Sequence, residues 1–487
     1  MKNYLFFAGF IFLAATASYF LIGSPYIHVV NSDSAIHVIM IDHFDWQRDF
    51  YYWAQNRVGS FVPAVAQPIK LLGISPLKAA FIVRYLLLIG TCLILCKLVR
   101  IPIYRILIVV AVLFPSFSYF RILEIGHPYA EQLFLLLLGT YLIHRKIKIQ
   151  EPVDNPALIL TSILFGIAFW ANDSSLIYIL MFAIGLIILQ VSGIMHFSGR
   201  FNWLFFATPF LAIASYCYYK KLVIIDYSGY ADQKINSLDV FFESVFSWHK
   251  KVIYVFENGI SNPVVATEIA VIFFFFIIFL IALLKWRLWI DRFSKYYIPL
   301  FFILFALAMY CAVCFSSWYI DNYSDSRYMI TSYFFMLFGS FILLDKMHSD
   351  DKLPVKSGFT GLAFLLVVVG IYSQKYVVQN GFILEKGEIP ELIQVQGRGI
   401  IGDYWYTYAL AAHDPASIPA TPHESSFPRS YHERMRVLAM DQIFLIKNNW
   451  FETFPDTVVQ FETRLVRQVP HSEIKVGNIV LSPYQKE

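Results

Sequence analysis

Charged side chains are scarce in this chain, which excludes an ordinary soluble domain. Asp, Glu, Lys and Arg make up only 15% of the 487 residues, whereas hydrophobic residues make up 58%. Soluble domains carry about 25% charged residues, so the composition indicates a membrane protein. The formal net charge of +4 is too small to indicate nucleic acid as a partner.

Cysteine is also rare, and its placement excludes a disulfide framework and a metal cluster. All the cysteines fall within apolar segments and are predicted to be small core residues: Cys92, Cys96, Cys217, Cys311 and Cys314. The chain also lacks a glycine-rich phosphate-binding motif and a dinucleotide-binding pattern. We therefore expect neither a metal ion nor a cofactor.

Long apolar runs dominate what is present. A helix needs about 20 apolar residues to cross a hydrocarbon core of roughly 30 Å, and about eleven segments approach that length. They lie near 4–23, 79–98, 102–120, 128–143, 156–171, 174–191, 202–222, 264–284, 296–316, 328–344 and 357–374. The sequence predicts a polytopic α-helical membrane protein with about eleven transmembrane helices.

Short connections rich in Lys and Arg predict the orientation of these helices. Those at 97–105, 144–150, 285–295 and 345–356 all fall on one side, which should be the cytoplasm. The N-terminus would then be cytoplasmic, and the long loops 24–78 and 223–263 would lie on the outer face. A cleaved signal peptide is the alternative for the first segment, because Lys2 precedes an apolar run that contains AATAS.

The end of the chain differs in kind from the rest. After residues 1–374, which we assign to the membrane domain, residues 375–487 carry the charge density of a soluble domain. Short alternating runs such as 457–466 predict strands. We therefore expect a small α/β domain outside the membrane. The sequence shows no internal repeat of the kind that indicates an inverted-repeat transporter.

The first long loop holds the carboxylates that we consider first for catalysis. Asp33 lies soon after the first span and begins a stretch whose apolar spacing predicts an interfacial helix, with one face in the lipid headgroups. There it would meet the head of a lipid-linked substrate. Asp33 could instead serve only as the helix cap, since NSDS is good capping chemistry. Asp49, set among aromatic residues, is a second candidate to line a site.

The second outer loop, EIGHPYAEQ, contributes further polar candidates. It places Glu124, His127 and Glu131 at the junction of two spans, where burial without a partner is costly. We predict that they bind substrate. A structural ion pair with Arg121 or Arg84 is the alternative.

Cations at the outer helix ends are candidates to bind a phosphate. Arg327 has the planar fork that suits a pair of phosphate oxygens, and Tyr328 beside it could contact a sugar or lipid. Lys220 and Lys221 lie at the outer end of a span and so break the positive-inside pattern, which a nearby phosphate would explain. Arg57, in the first loop, is a further candidate to bind the phosphate. Interfacial anchoring of Arg327 and snorkelling of the lysines are the alternatives.

These features resemble the GT-C class of polyprenyl-phosphate-sugar-dependent glycosyltransferases. The resemblance is carried by the acidic first outer loop, the E..H..YAEQ second loop, the many spans and an outer C-terminal domain that starts with GRGIIGDYWYTYAL. Within this class the chain looks most like the bacterial serotype-converting enzymes that glucosylate O-antigen.

The resemblance implies an activity and a location. It implies a multi-pass protein of the bacterial inner membrane that transfers a sugar, expected to be glucose, from a polyprenyl-phosphate donor to a lipid-linked or polymeric glycan such as O-antigen. Asp33 matches the catalytic Asp of the family and would act as general base with inversion of the anomeric carbon, while Arg327 would hold the donor phosphate. Many members carry an adjacent acidic pair, but Ser34 follows Asp33 here, which keeps Asp49 as an alternative base. The first loop lacks Asp-x-Asp, which disfavours the metal-dependent oligosaccharyltransferases.

Three other functions fit parts of the pattern. An O-antigen polymerase or ligase also has many spans, but its large loop comes late in the chain. A lipid-linked sugar flippase or transporter places charges at mid-membrane depth, whereas the acids here cluster at outer helix ends, with Arg84 as an exception. The membrane part could also be an inactive scaffold for an outer recognition domain.

Overall fold

The computed structural model describes residues 2–23, 31–55, 58–197, 214, 218, 236–246, 263–284, 287, 292–321, 326–349, 356–373, 390–468 and 473–487. Helices make up this part of the chain up to Ser373, and a β-sheet begins at Gly399.

The α-helices follow one another along the chain in the order given next. They are α1 (Lys2–Ser18), α2 (Ser32–Asp42), α3 (Phe61–Lys70), α4 (Pro76–Leu98), α5 (Pro102–Leu113), α6 (Tyr129–Lys148), α7 (Asn155–Ala171), α8 (Ser175–Val191), α9 (Leu238–Val245), α10 (Pro263–Leu284), α11 (Phe293–Phe315), α12 (Ser317–Asp321), α13 (Ile330–Ser349), α14 (Lys356–Ser373), α15 (Tyr404–Ala411) and α16 (Tyr431–Ala439). A π-helical turn, Tyr19–Gly23, extends α1, and short 3₁₀ helices form at Phe117–Ile122, Ser326–Met329 and Pro390–Gln394.

The chain is a membrane protein with a C-terminal sheet domain. Among the described residues, 4 helices are long and apolar enough to cross a membrane: Leu5–Gly23, Pro76–Leu98, Phe293–Phe315 and Ser326–Ser349. Shorter apolar helical stretches lie at Pro102–Leu113, Asn155–Ala171, Ser175–Val191 and Ile269–Ile278. The number of about eleven spans stays a prediction. The predicted span 202–222 lies, apart from residues 214 and 218, outside the described residues.

The first loop folds into α2 and α3 rather than lying on the membrane surface. Every residue of α2 from Ser34 to Ile41 is buried. The prediction of an interfacial helix with one face in the headgroups is therefore wrong. The reason is that α3, α4 and α15 all pack against α2, so its polar side is covered as well.

The C-terminal domain is a mixed sheet with two helices. Its strands are β1 (Gly399–Gly402), β2 (Ala420–Pro422), β3 (Gln442–Ile446), β4 (Thr457–Gln460), β5 (Thr463–Arg467), β6 (Ile474–Val476) and β7 (Ile479–Lys486). The strand order is β2-β1-β3-β7-β5-β4, and β6 pairs with β7. The first three strands pair in parallel and the others antiparallel. The alternating run at 457–466 forms the β4–β5 hairpin, as its pattern predicted.

The sheet domain docks onto the helices through α15. The side chain of Asp403 caps this helix by accepting a hydrogen bond of 2.9 Å from the backbone N–H of Trp405. Tyr404 and Tyr408 of α15 belong to the same hydrophobic core as α2 and α4. The docking places the first turn of α15 against the first turn of α2.

Candidate functional site

Asp33 lies in the first turn of α2 but does not cap it. The cap is Asn31, whose Oδ1 accepts a hydrogen bond of 2.8 Å from the backbone N–H of Ser34. The interpretation of Asp33 as a mere helix cap is therefore wrong. A carboxylate in the first helical turn is also favoured by the helix dipole. The cap leaves the half-buried Asp33 side chain available to other partners.

Two tyrosine hydroxyls hold the Asp33 carboxylate. Its Oδ1 accepts a hydrogen bond of 2.8 Å from Tyr404 and one of 3.3 Å from Tyr52. Tyr52 belongs to the first loop and Tyr404 to the C-terminal domain. Among the described residues, no donor lies within hydrogen-bond distance of Oδ2. One carboxylate oxygen is thus fixed, and the other is available to a ligand.

Both tyrosines are neutral donors at physiological pH. Burial, followed by the negative charge of Asp33, raises the pKa of Tyr404 well above its ordinary value of 10.0. Burial is also the main cause of the raised pKa of Tyr52. The buried guanidinium of Arg429 lies 5.2 Å from the ring centroid of Tyr404, and its charge acts in the opposite direction. Each phenol therefore keeps the proton that it donates to Asp33.

Asp33 opens into a cavity of about 270 Å³, which we call the Asp33 cavity. Its walls come from α2, the two outer loops, the turn between α7 and α8, the second half of α11, and the segment 326–331. Its polar lining includes Asp33, Tyr52, His127, Asp173, Arg327 and Tyr328. A carboxylate, an imidazole and a guanidinium thus share one space.

Arg327 and Tyr328 enter this cavity together. Nη2 of Arg327 donates a hydrogen bond of 2.7 Å to the hydroxyl of Tyr328, and the guanidinium lies 4.8 Å from the centroid of the same ring. The contact orients the guanidinium at the start of the apolar segment Ser326–Ser349. Sequence reasoning proposed both residues, and the structure brings both to the Asp33 cavity.

The second outer loop reaches the cavity through His127. Glu124 does not line the cavity. Its Oε2 accepts hydrogen bonds from Asn31 (3.2 Å) and Arg121 (3.3 Å) and lies 3.3 Å from Nε2 of His127. Because Asn31 also caps α2, this network ties the loop to the helix that carries Asp33. Glu124 therefore has structural partners where the sequence predicted a substrate contact.

Glu131 has a structural role as well. Its Oε2 accepts a hydrogen bond of 2.7 Å from Nη1 of Arg84, and both side chains are almost fully buried. Nη2 of Arg84 donates to the backbone carbonyls of Ile125 and His127, each at 2.9 Å. The ion pair therefore anchors the loop that carries His127, and Glu131 does not reach the Asp33 cavity.

A glycine allows the loop to approach α2 this closely. The backbone N–H of Gly126 donates a hydrogen bond of 3.2 Å to Oγ of Ser34. A Cβ at Gly126 would lie only 2.6 Å from both the carbonyl carbon of Asp33 and the backbone nitrogen of Ser34. Any side chain here would push the loop away from Asp33.

Asp49 lies away from the cavity and is fully buried. Its carboxylate accepts hydrogen bonds from Trp53 Nε1 (2.8 Å), Arg48 Nη2 (2.8 Å) and the backbone N–H of Asp45 (2.9 Å). These contacts close the turn that follows α2. Asp49, the alternative candidate for the base, therefore has a structural role in this turn.

Arg57, Lys220 and Lys221, predicted to bind the donor phosphate, lie outside the described residues, as does Cys217. Of the other cysteines, Cys92, Cys96 and Cys314 are buried within helices.

Sequence reasoning missed the residues that position the site. They include Tyr52, Tyr404 and Arg429. The local sequence around these residues does not predict that they lie near Asp33. Gln132 was missed too. Its side chain accepts hydrogen bonds from Thr331 (2.8 Å) and Asn172 (3.1 Å), and so joins three walls of the cavity. A glutamine in an apolar span was the one available signal.

Comparison with known proteins gives similarity to solved structures of an oligosaccharyltransferase. No protein-family model and no curated protein matches the sequence. Among solved structures, the chain is similar to the oligosaccharyltransferase of Archaeoglobus fulgidus in its apo form, with a TM-score of 0.48 and 10% identity over 91% of this chain and 69% of that chain. It is also similar to the archaeal oligosaccharyltransferase AglB of the same organism in complex with an inhibitory peptide and a dolichol-phosphate, with a TM-score of 0.47, 10% identity and the same coverage.

Proposed function

We propose that this protein is a GT-C-class glycosyltransferase that moves a sugar from a polyprenyl-phosphate donor to a hydroxyl of a cell-envelope glycan. One observation carries the proposal: Asp33 and Arg327 line the same cavity. This cavity lies at the ends of apolar helices, where the head of a membrane-embedded lipid would be. Transfer from a lipid phosphate needs a base for the acceptor and a cation for the leaving group, and the cavity offers both.

Asp33 acts as the general base in this proposal. Its Oδ2 takes the proton of the acceptor hydroxyl while the acceptor oxygen forms a bond to the anomeric carbon. Tyr52 and Tyr404 fix the carboxylate through Oδ1, so that the other oxygen stays directed at the acceptor. A single attack from the side opposite the phosphate inverts the anomeric centre.

Arg327 stabilises the leaving group. As the acceptor attacks, the bond between the anomeric carbon and the phosphate oxygen breaks, and its electron pair stays on the phosphate. The guanidinium lies where this added charge can be neutralised, and Tyr328 restricts its orientation. His127 also lines the cavity and is a candidate to contact the sugar or the acceptor.

The donor we propose is polyprenyl-phosphate glucose, the acceptor is a glycan such as O-antigen, and the site faces the periplasm of a bacterial inner membrane. The charge distribution supports the orientation. Lys148, Lys295 and Lys346 lie near the opposite ends of α6, α11 and α13, whose other ends line the Asp33 cavity.

Replacement of Asp33 by Asn tests the proposal. In membranes supplied with synthetic polyprenyl-phosphate glucose and acceptor glycan, D33N should lower the transfer rate by roughly 10² to 10⁴, the usual contribution of a positioned base. Asp45→Asn is the matched control, since Asp45 belongs to the same loop but is exposed and does not line the cavity. Full activity of D33N with normal expression would refute the mechanism.

A second measurement identifies the product. The surface polysaccharide of cells with the protein should carry one additional hexose per repeat, which should be missing from cells with D33N. If labelled donor instead crosses the membrane of vesicles without formation of a glycan product, the protein is a flippase and the proposal fails.

A further inference from the structure

We infer that the end of the helical bundle opposite the Asp33 cavity binds an anionic phospholipid of the surrounding bilayer. Two adjoining spaces form this site, and we call them the basic cavity and the apolar groove. Neither contributes to glycosyl transfer as proposed above, so the inference does not depend on it.

The basic cavity has a volume of about 720 Å³. Among the described residues of its lining, cationic side chains outnumber carboxylates five to two: Lys97, Arg100, Lys148, Lys295 and Lys346 against Glu151 and Asp345. These cations come from the ends of α4, α6 and α13, the start of α11 and the α4–α5 connection. Segments distant in sequence thus bring positive charge to one cavity, which favours an anion.

Both carboxylates of the lining have other partners. Asp345 accepts hydrogen bonds from the backbone N–H groups of Arg100 (3.0 Å) and Ile101 (2.7 Å), in the α4–α5 connection. Glu151 accepts a hydrogen bond of 3.0 Å from Lys146, which lies outside the cavity. Even with the charge of Asp345 set against one cation, the described lining keeps an excess of positive charge, which an anionic ligand would offset.

The apolar groove adjoins the basic cavity between α6, α8 and α11 and has a volume of about 170 Å³. The two spaces share His144, Ile147 and Tyr297 in their walls. Ile184 and Leu304 on the rim of the groove are 57% exposed, so the groove opens on the side of the bundle. Because the basic cavity continues into the apolar groove, the site fits a ligand with a negatively charged head and a hydrocarbon chain.

The depth of the site points to the lipid bilayer as the source of this ligand. Helix α13 carries Thr331 in the Asp33 cavity and Ser349 in the basic cavity. At 1.5 Å per residue, these positions are roughly 27 Å apart, close to the thickness of the hydrocarbon core. The basic cavity therefore lies at the headgroup level of the other leaflet. A phosphate would enter it from there, with an acyl chain in the groove.

Native mass spectrometry of the purified full-length protein tests this inference. The protein is mixed with equal amounts of phosphatidylglycerol and phosphatidylcholine, and the ratio of the two bound lipids is measured. A lysine near a headgroup should favour the anionic lipid by roughly fivefold. Lys148→Gln should therefore lower the ratio by about that factor. Arg145→Gln removes the same charge from the same end of α6 but outside both spaces, and it should leave the ratio unchanged.

A variant in the groove separates a lipid from a free phosphate. A Cβ at Gly185 has Cδ2 of Phe301 as its nearest neighbour, at 3.8 Å, so Gly185→Leu can fill the groove without displacing the backbone. It should lower the binding of both lipids. If the wild type shows no preference for phosphatidylglycerol, or if K148Q and R145Q reduce it equally, the inference is overturned. Binding of inorganic phosphate that G185L leaves unchanged, with no retained lipid, would also overturn it.

Discussion

The hydroxyl of Tyr404 donates a hydrogen bond of 2.8 Å to Oδ1 of Asp33, although the two residues are 371 positions apart in the chain. A second contact accompanies it, because Oγ of Ser32 donates to the backbone carbonyl of Tyr404. The C-terminal domain is therefore part of the site and not an appendage to it. It holds the carboxylate that we propose as the general base.

Tyr404→Phe tests this relationship. Loss of a hydrogen bond to a charged group costs about 1.5–3 kcal/mol, so kcat should fall roughly 10- to 100-fold while KM for the donor changes little. Tyr406→Phe, in the same helix but not at a hydrogen-bond donor of the Asp33 carboxylate, should retain full kcat. The kinetics of sugar transfer by both variants measure this. An unchanged kcat for Y404F would contradict a positioning role.

Arg327 should be required for use of the donor. Removal of a cation that stabilises a leaving phosphate is expected to cost about 3 kcal/mol, so Arg327→Ala should lower kcat/KM by roughly 10²-fold. Arg327→Lys should restore part of the rate, because it keeps the charge and loses the planar fork. Tyr328→Phe keeps the ring and should have a smaller effect. If R327A and wild type gave the same rate at every donor concentration, Arg327 would only anchor the helix.

Gly126 offers a test of geometry that removes no functional group. In Gly126→Ala the added Cβ would lie 2.6 Å from the backbone at Asp33 and Ser34, so the loop must move. Transfer activity should fall by at least about tenfold, since a displacement of about 1 Å can cost 10²-fold in rate. Gly166→Ala is the control, because a Cβ there has no atom within 4 Å. Equal activity of the two variants would show that the close contact is dispensable.

Acid should lower the stability of the folded protein through His37, which lies on the same helix as Asp33. Burial lowers the pKa of His37 from 6.5 to about 4, and Nδ1 donates to the carbonyl of Asp33 at 3.1 Å. Between these two values the unfolded chain binds a proton that the folded chain does not, so stability falls as the pH falls. The total loss is about 3 kcal/mol below pH 4.

The measurement is Tm against pH for the protein in detergent. The wild type should lose Tm between pH 6.5 and about 4, and His37→Gln should show a shallower dependence over the same range. Other groups titrate there too, but they are common to both proteins, so the difference between the curves reports on His37. Parallel curves would contradict the assignment.

The polar ends of the spans could be located from the sequence, but their pairing could not. Asp33, His127 and Arg327 were each predicted because they lie beside the outer ends of apolar segments, where a lipid-linked substrate would be. Glu124 and Glu131 lie in or beside the same loop as His127, and Asp49 lies in the same loop as Asp33, yet their partners are structural. Sequence spacing gives the depth of a residue along a helix, whereas its neighbours depend on how the helices pack.

The sequence by itself determined that the chain enters a membrane, that its C-terminal end forms a sheet domain, and where β4 and β5 lie. These properties follow from hydrophobicity and side-chain alternation, which are local. Only the tertiary structure decided that α2 is buried on all sides and that Tyr404 completes the Asp33 site. The reason is that such contacts join segments hundreds of residues apart, and a tyrosine that binds a carboxylate has the same local pattern as one that packs in a core.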